Sequence, residues 1–179
     1  QKYGGYTEAN AQEFSRIMQK KLGWSRYGNP KYVSAVYRYL VFSSNGKWGS
    51  PFVGKDWNSR VSSDFGWRTD PLNGKKAFHE GLDIAYPTGT KIHAVSGGVV
   101  TSVVYSKTGY GHHVRVDCGN GVTVLYAHCS KILVTKGQSI STGQAIAEVG
   151  APGRVTGAHL HLGVLVNGKE VNPREYIGG

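Results

Sequence analysis

The stretch His112–Cys129, HHVRVDCGNGVTVLYAHC, alternates apolar and polar residues on both sides of Gly119-Asn120-Gly121. Apolar side chains at every second position give a strand one buried face, and Asn-Gly between two such runs closes a hairpin. Similar short runs bounded by glycine lie at 91–105, 145–149 and 160–166, and a second Asn-Gly stands at 167–168. The 26 glycines and the many Val, Thr and Tyr residues fit short strands joined by tight turns. From about residue 61 the chain is therefore read as mainly β, a domain of folded antiparallel sheets. Gly-Gln at 137–138 and again at 143–144 reads as a pair of tight corners. In the hairpin register Cys118 sits beside the turn and Cys129 far up the returning strand. A disulfide tolerates Cα atoms no more than roughly 7 Å apart, so both are expected to be free thiols.

Towards the N-terminus the pattern changes. In residues 7–22 Thr7 can cap a helix, Phe14, Ile17, Met18 and Leu22 recur at three- and four-residue spacing, and Gly23 stops the run. A second helix is expected after Pro30, carried by Tyr32, Val33, Val36, Tyr37, Leu40 and Val41. The following SSNGKWGSPFVGKDWNSR reads as a loop or linker. This divides the chain into a small α-helical N-terminal segment with linker, 1–50, and a β-domain, 51–179. Hydrophobic residues make up 39% and charged residues 18%, a globular composition, with no apolar run near the roughly 20 residues of a membrane span. The sequence starts at Gln1 without a basic stretch leading into an apolar run, and is read as a mature form or an excised piece. The formal charge is +10, with +7 in residues 1–60 (ten Lys/Arg against Glu8, Glu13 and Asp56). Such a leader suits an anionic partner such as nucleic acid, anionic lipid or a phosphate-rich wall polymer.

All seven histidines fall between positions 79 and 161. Three groups stand out: His79-Glu-Gly-Leu-Asp83, His159-Leu-His161, and His128 in Leu-Tyr-Ala-His. Two residues apart in a strand, His159 and His161 point to one face, roughly 7 Å apart. That spacing suits one metal ligand and one neighbour able to touch a reacting water. Catalytic zinc takes three protein ligands from imidazole and carboxylate and keeps a fourth position open. Two His and one Asp would leave the site at about +1, acidic enough to polarise an amide carbonyl. The alternatives are plain: an HxH can be a polar strand face, an HxxxD a surface turn, and a lone His128 a half-buried structural residue. From spacing alone both readings stand. His112 and His113 point to opposite faces, so at most one meets a groove, and His93 reads as structural or exposed.

The segments FGWRTDPLNGKKAFHEGLDIAYPTGTKIHAVSGGVV, LYAH, GQSISTGQAIAEVG and TGAHLHLGVLVNGKEVNP resemble, in this order, the lysostaphin-type zinc endopeptidases. The likeness runs from about residue 61 to 176 and implies a lysostaphin-like fold. It implies Zn2+ held by His79, Asp83 and His161, with His128 and His159 acting on the water and the transition state. One of these two would take the proton of the water and the other would bond the oxyanion. Tyr126, two residues before His128, is expected to share its face and line the groove. Arg68 is expected to meet substrate at the edge, where family members often continue to His-Pro and this chain has Asp70-Pro71. Residues 69–78, 106–112 and 150–157 are expected to form the groove walls.

The resemblance implies an endopeptidase hydrolysing stem or cross-bridge peptides of bacterial peptidoglycan, outside the cell or on the wall or periplasmic side. A place in a phage tail or conjugation-associated protein fits the same habit. The basic N-terminal segment would then meet anionic wall polymers. Two rivals remain: a catalytically silent peptidoglycan-binding relative, and a carrier domain, since GQSISTGQAIAEVG also resembles biotinyl- and lipoyl-domain half-repeats. Carrier lysines are commonly flanked by methionine, and the single Met18 lies elsewhere. Nothing matches a base-reading motif, so no nucleic acid is expected.

Overall fold

The computed structural model describes residues 48–70, 73–153 and 155–177. The two helices read over 7–22 and 32–41 lie outside the described residues. Within them the chain forms thirteen strands and two single 3-10 turns. The strands are β1 (Val61–Ser63), β2 (Gly66–Thr69), β3 (Lys76–His79), β4 (Leu82–Ile84), β5 (Lys91–His93), β6 (Gly98–Val104) and β7 (His113–Asp117). They continue as β8 (Val122–Ala127), β9 (Cys129–Ile132), β10 (Ser139–Ile140), β11 (Ala145–Val149), β12 (Leu160–Val166) and β13 (Lys169–Val171). The main sheet runs β1-β4-β12-β8-β7-β6-β10, with β13 added to β12. A second sheet runs β5-β11-β9, and β2 and β3 form a separate hairpin. All pairings are antiparallel.

The hairpin expected at 112–129 is β7–β8. Val114 pairs with Tyr126 and Val116 with Val124, and Cys118 and Val122 close the turn through backbone bonds of 2.9 Å. Asn167-Gly168 joins β12 to β13 in two residues with φ of 50° and 76°, the left-handed pair that an Asn-Gly hairpin turn requires. The run read as one segment at 91–105 is two strands, β5 in the small sheet and β6 in the large one. The Gly-Gln corners are built alike: Gln138 Oε1 accepts from Thr135 N–H and Gln144 Oε1 from Ser141 N–H. Cys118 and Cys129 are free and buried, and burial pushes their thiols up to about 11 and about 12, far from thiolate reactivity.

Strand alternation sorts the core from the site. Leu82 and Ile84 pair with Leu162 and Leu160, and all four are fully buried. Each contributes roughly 1.5–3 kcal/mol of transfer free energy. The residues between them, Asp83 and His161, pair directly and face the other side of the sheet. The segment read as a linker is packed from Trp48 onward, which extends the packed domain back past residue 51. Trp48 and Phe52 are buried, Gly49 N–H bonds to Val95 O at 2.7 Å, and Trp48 meets the Tyr176 ring. Large aromatic side chains override the turn-rich composition there, because exposing them would forfeit their burial energy.

Tyr126 is fully buried, and its hydroxyl accepts from Val95 N–H at 2.9 Å, tying β8 to the link between the two sheets. A Tyr126→Phe variant leaves that N–H without an acceptor and is expected to lose about 1–3 kcal/mol of unfolding free energy. Urea melts measure this directly; a variant as stable as the parent would show that another acceptor reaches Val95.

Candidate metal centre and cleft

His79 ends β3 and Asp83 sits in β4, joined by the turn Glu80-Gly81. That turn passes very close to β12. A Cβ on Gly81 would lie 2.6 Å from Leu162 O and 2.7 Å from the His161 ring, so only glycine fits. His79 Nε2 stands 3.1 Å from Asp83 Oδ1 and 3.2 Å from His161 Nδ1, and His161 Nδ1 stands 2.8 Å from the same Oδ1. All three residues are buried.

The chemistry of these donors fits a cation. His79 Nδ1 lies 2.8 Å from Asp64 O, which only an N–H can satisfy, so the neutral ring turns a bare lone pair at Nε2 towards a carboxylate. Two acceptors facing each other in a buried site need a proton or a metal ion between them. A tetrahedral ion with bonds of ~2.0–2.2 Å sets its ligand atoms roughly 3.3–3.6 Å apart, so the three atoms, now 2.8 to 3.2 Å apart, need only spread by a few tenths of an ångström to about 0.8 Å to hold one. Burial by itself would raise the Asp83 carboxyl; while a proton lies between it and His161 or His79, that bond outweighs burial and holds the group well below the usual carboxylate range.

His128 and His159 face the same space. His159 Nε2 is 3.7 Å from Asp83 Oδ1, and the His128 and His159 rings meet edge to face at 4.9 Å. His128 Nδ1 bonds to Pro152 O at 2.9 Å and His159 Nδ1 to Gly157 O at 2.8 Å. Each ring therefore spends its Nδ1 proton on a backbone carbonyl and presents Nε2 to the cleft. Burial, then the neighbouring His159 and His161, push His128 down to about 4, against the opposing pull of the Pro152 bond. At neutral pH it is an unprotonated imidazole.

The cleft has a volume of about 570 Å³. Its walls include Thr69, Gly109 with Tyr110, and Val155 with Thr156, one from each of the three expected loops. A further wall from Ser62 and Ser63 on β1 was not expected. Arg68 lines the cleft and places Nη2 3.7 Å from Asp83 Oδ2. On the opposite face of the β2–β3 hairpin, Trp67 and Phe78 pack edge to face and stay exposed. Asp70 is buried at the base of the hairpin turn, where its backbone bonds to Lys75 and Gly74.

The expectation for Tyr126 fails. It points into the core, because strand alternation does not carry through to His128. That residue has φ of 60°, at the point where the chain leaves the main sheet at the end of β8 and enters the small sheet as β9. His112, His113 and His93 stay outside the cluster. His112 Nδ1 accepts from Ser106 N–H, His113 Nδ1 bonds to Gly111 O, and His93 Nδ1 lies 3.5 Å from Val53 N. Sequence reasoning missed Tyr110, whose backbone oxygen accepts from His128 N–H and whose ring lies against His161. Its neighbouring glycines signal a loop, but nothing in the sequence marks the residue as part of the site.

Residues 77–173 match Peptidase family M23. The chain belongs to peptidase family M23. The peptidoglycan DD-endopeptidase ShyA of Vibrio cholerae is 42% identical over 114 residues, which are 63% of this chain and 26% of ShyA. This chain thus spans about a quarter of the length of such curated relatives. Among solved structures, a zinc containing peptidase from Vibrio cholerae superposes with a TM-score of 0.65 at 33% identity, over 72% of this chain and 39% of that one. The catalytic domain of the antimicrobial peptidase lysostaphin from Staphylococcus simulans gives 0.58 at 27% identity, over 64% and 88%. The β-rich, lysostaphin-like fold expected from sequence is thereby established, and the M23 match spans all five residues of the cluster.

Gly81→Ala drives a methyl group into the His161 ring. Its divalent-metal affinity is expected to fall roughly tenfold or more, in line with the ~1–3 kcal/mol of a clash in a packed site. Competition with a chromogenic chelator measures this, and an affinity equal to the parent's would show that the M23 cluster has slack at this point.

Proposed function

We propose that this chain is a zinc-dependent endopeptidase hydrolysing stem or cross-bridge peptide bonds of bacterial peptidoglycan, working on the wall or periplasmic side of the cell. The carrying observation is the convergence of His79 Nε2, Asp83 Oδ1 and His161 Nδ1 beside two further imidazoles that aim Nε2 into one cleft. The name of ShyA supports the polymer as substrate. Among the described residues no helix is long and apolar enough to cross a membrane.

In this reading His79, Asp83 and His161 hold zinc. Bound there, zinc supplies a Lewis acid that polarises a carbonyl and makes water more acidic. The protein's own side chains move the protons. Either His128 or His159 accepts the proton of the attacking water at Nε2. The proton it gains then passes from the same Nε2 to the leaving amine, and the other ring, when it carries a proton at Nε2 as well as Nδ1, bonds the oxygen that gains charge. Pro152 O and Gly157 O hold the Nδ1 proton of each ring and so keep both Nε2 atoms aimed at the cleft. Arg68 orients substrate at the cleft edge, beside the carboxylate of Asp83. Residues 51–179 serve as the catalytic domain, and the basic N-terminal segment attaches to anionic wall polymers.

Zinc stoichiometry and release of soluble fragments from purified peptidoglycan, with and without a chelator, test this reading. His161→Ala is expected to lose zinc and activity together. His128→Ala is expected to keep zinc and lose at least ~100-fold in turnover, the usual weight of a positioned acid–base group. Zinc-free parent protein, or near-normal cleavage by His128→Ala, would overturn the assignment.

A further inference from the structure

The two histidines of the metal cluster are supported unequally. A ligating histidine almost always donates its second ring N–H to a carbonyl, carboxylate or water, and this bond fixes the angle of the ring. His79 follows that rule through Asp64 O. His161 does not: its Nε2 is buried with no hydrogen-bond partner, while its Nδ1 faces the cluster. The orientation of this ring must therefore come from packing.

Besides the rings of His79 and His128, whose centroids lie 5.1 and 6.0 Å from that of His161, two residues outside the cluster supply the packing. Gly81 closes one side so tightly that a Cβ would lie 2.7 Å from His161 Nε2 and Cε1. The Tyr110 ring lies against His161 with centroids 5.4 Å apart and planes inclined at 35°. Tyr110 is itself held at both ends. Its hydroxyl donates to Glu80 Oε2 at 2.7 Å, on the turn that joins His79 to Asp83. Its backbone oxygen accepts from His128 N–H at 2.9 Å. The ring also meets His113 edge to face and lies beneath the Arg115 guanidinium.

We infer that the Tyr110 ring is a positioning residue for His161, standing in for the hydrogen bond that its Nε2 lacks. Clamped between Gly81 and Tyr110, the imidazole keeps Nδ1 trained on the point that His79 and Asp83 share. The inference rests on the metal site proposed above and adds to it the means by which one ligand is held.

The test is zinc affinity of the whole chain, by competition with a chromogenic chelator, alongside melting of the metal-free protein. Tyr110→Leu keeps apolar bulk and removes the flat face; its affinity is expected to fall roughly 10- to 100-fold, the range seen when an orienting partner of a metal ligand is lost. Tyr110→Phe keeps the ring and is expected to stay within about threefold of the parent, on the same scale. Equal affinity in Tyr110→Leu overturns the inference and leaves the metal site standing. An equal loss in Tyr110→Phe also overturns it, assigning the effect to the bond with Glu80. A parent chain that binds no zinc overturns both this inference and the proposed function.

Discussion

A carboxylate buried among imidazoles is the constraint that organises this domain. Taking Asp83 out of water costs several kcal/mol unless its lone pairs are met, and the fold meets them by pairing Asp83 across the sheet with His161. That pairing exists only in one register of β4 against β12. Sliding either strand by one residue would turn Asp83 or His161 into the core and push a leucine into the cleft. The register is fixed by Leu82, Ile84, Leu160 and Leu162, whose combined burial outweighs the cost of the polar pair between them. Core packing and site geometry are thus one specification, written as Leu-Asp-Ile against Leu-His-Leu.

The remaining histidines are placed by another device. His128 and His159 lie just outside the strands of the main sheet, one after the end of β8 and one before the start of β12. At those points backbone carbonyls are free of the ladder and can orient side chains, as Pro152 O and Gly157 O do. His128 adopts a left-handed backbone conformation to reach its place, a strain of order 1–3 kcal/mol that the surrounding bonds to Tyr110 and Pro152 offset. Residues of the metal cluster sit on or at the ends of paired strands, where position varies least. His128 and His159 sit at junctions, where a ring can be aimed.

This division explains what the sequence revealed. Period-two alternation exposed the β7–β8 hairpin and put His159 and His161 on one face, because side chains carry that signal. The same rule misplaced Tyr126, since one positive φ at His128 breaks the alternation and leaves no trace in residue types. It also merged β5 with β6, because a change of sheet at Ala94–Gly97 reads like any other short apolar run. The orienting groups of His79, His128 and His159 are backbone carbonyls, so no sequence pattern could name them. Trp48 and Phe52 were hidden for a different reason: Gly, Ser and Asn around them spell a loop, and a loop can still be anchored by two large rings.

The five histidine and aspartate side chains and the carbonyls that orient them all fall between Asp64 and His161. These groups are all present in a chain spanning about a quarter of its curated relatives. The cleft walls are built differently. Gly109, Val155 and Thr156 belong to connections between strands, and Thr69 ends β2 in the separate β2–β3 hairpin, so none of the four lies in a strand of the main sheet. Substitution in these walls changes what the cleft admits, whereas substitution in the strand cores changes whether the cluster assembles at all. In a fold arranged this way, the shape of the cleft and the assembly of the cluster vary independently.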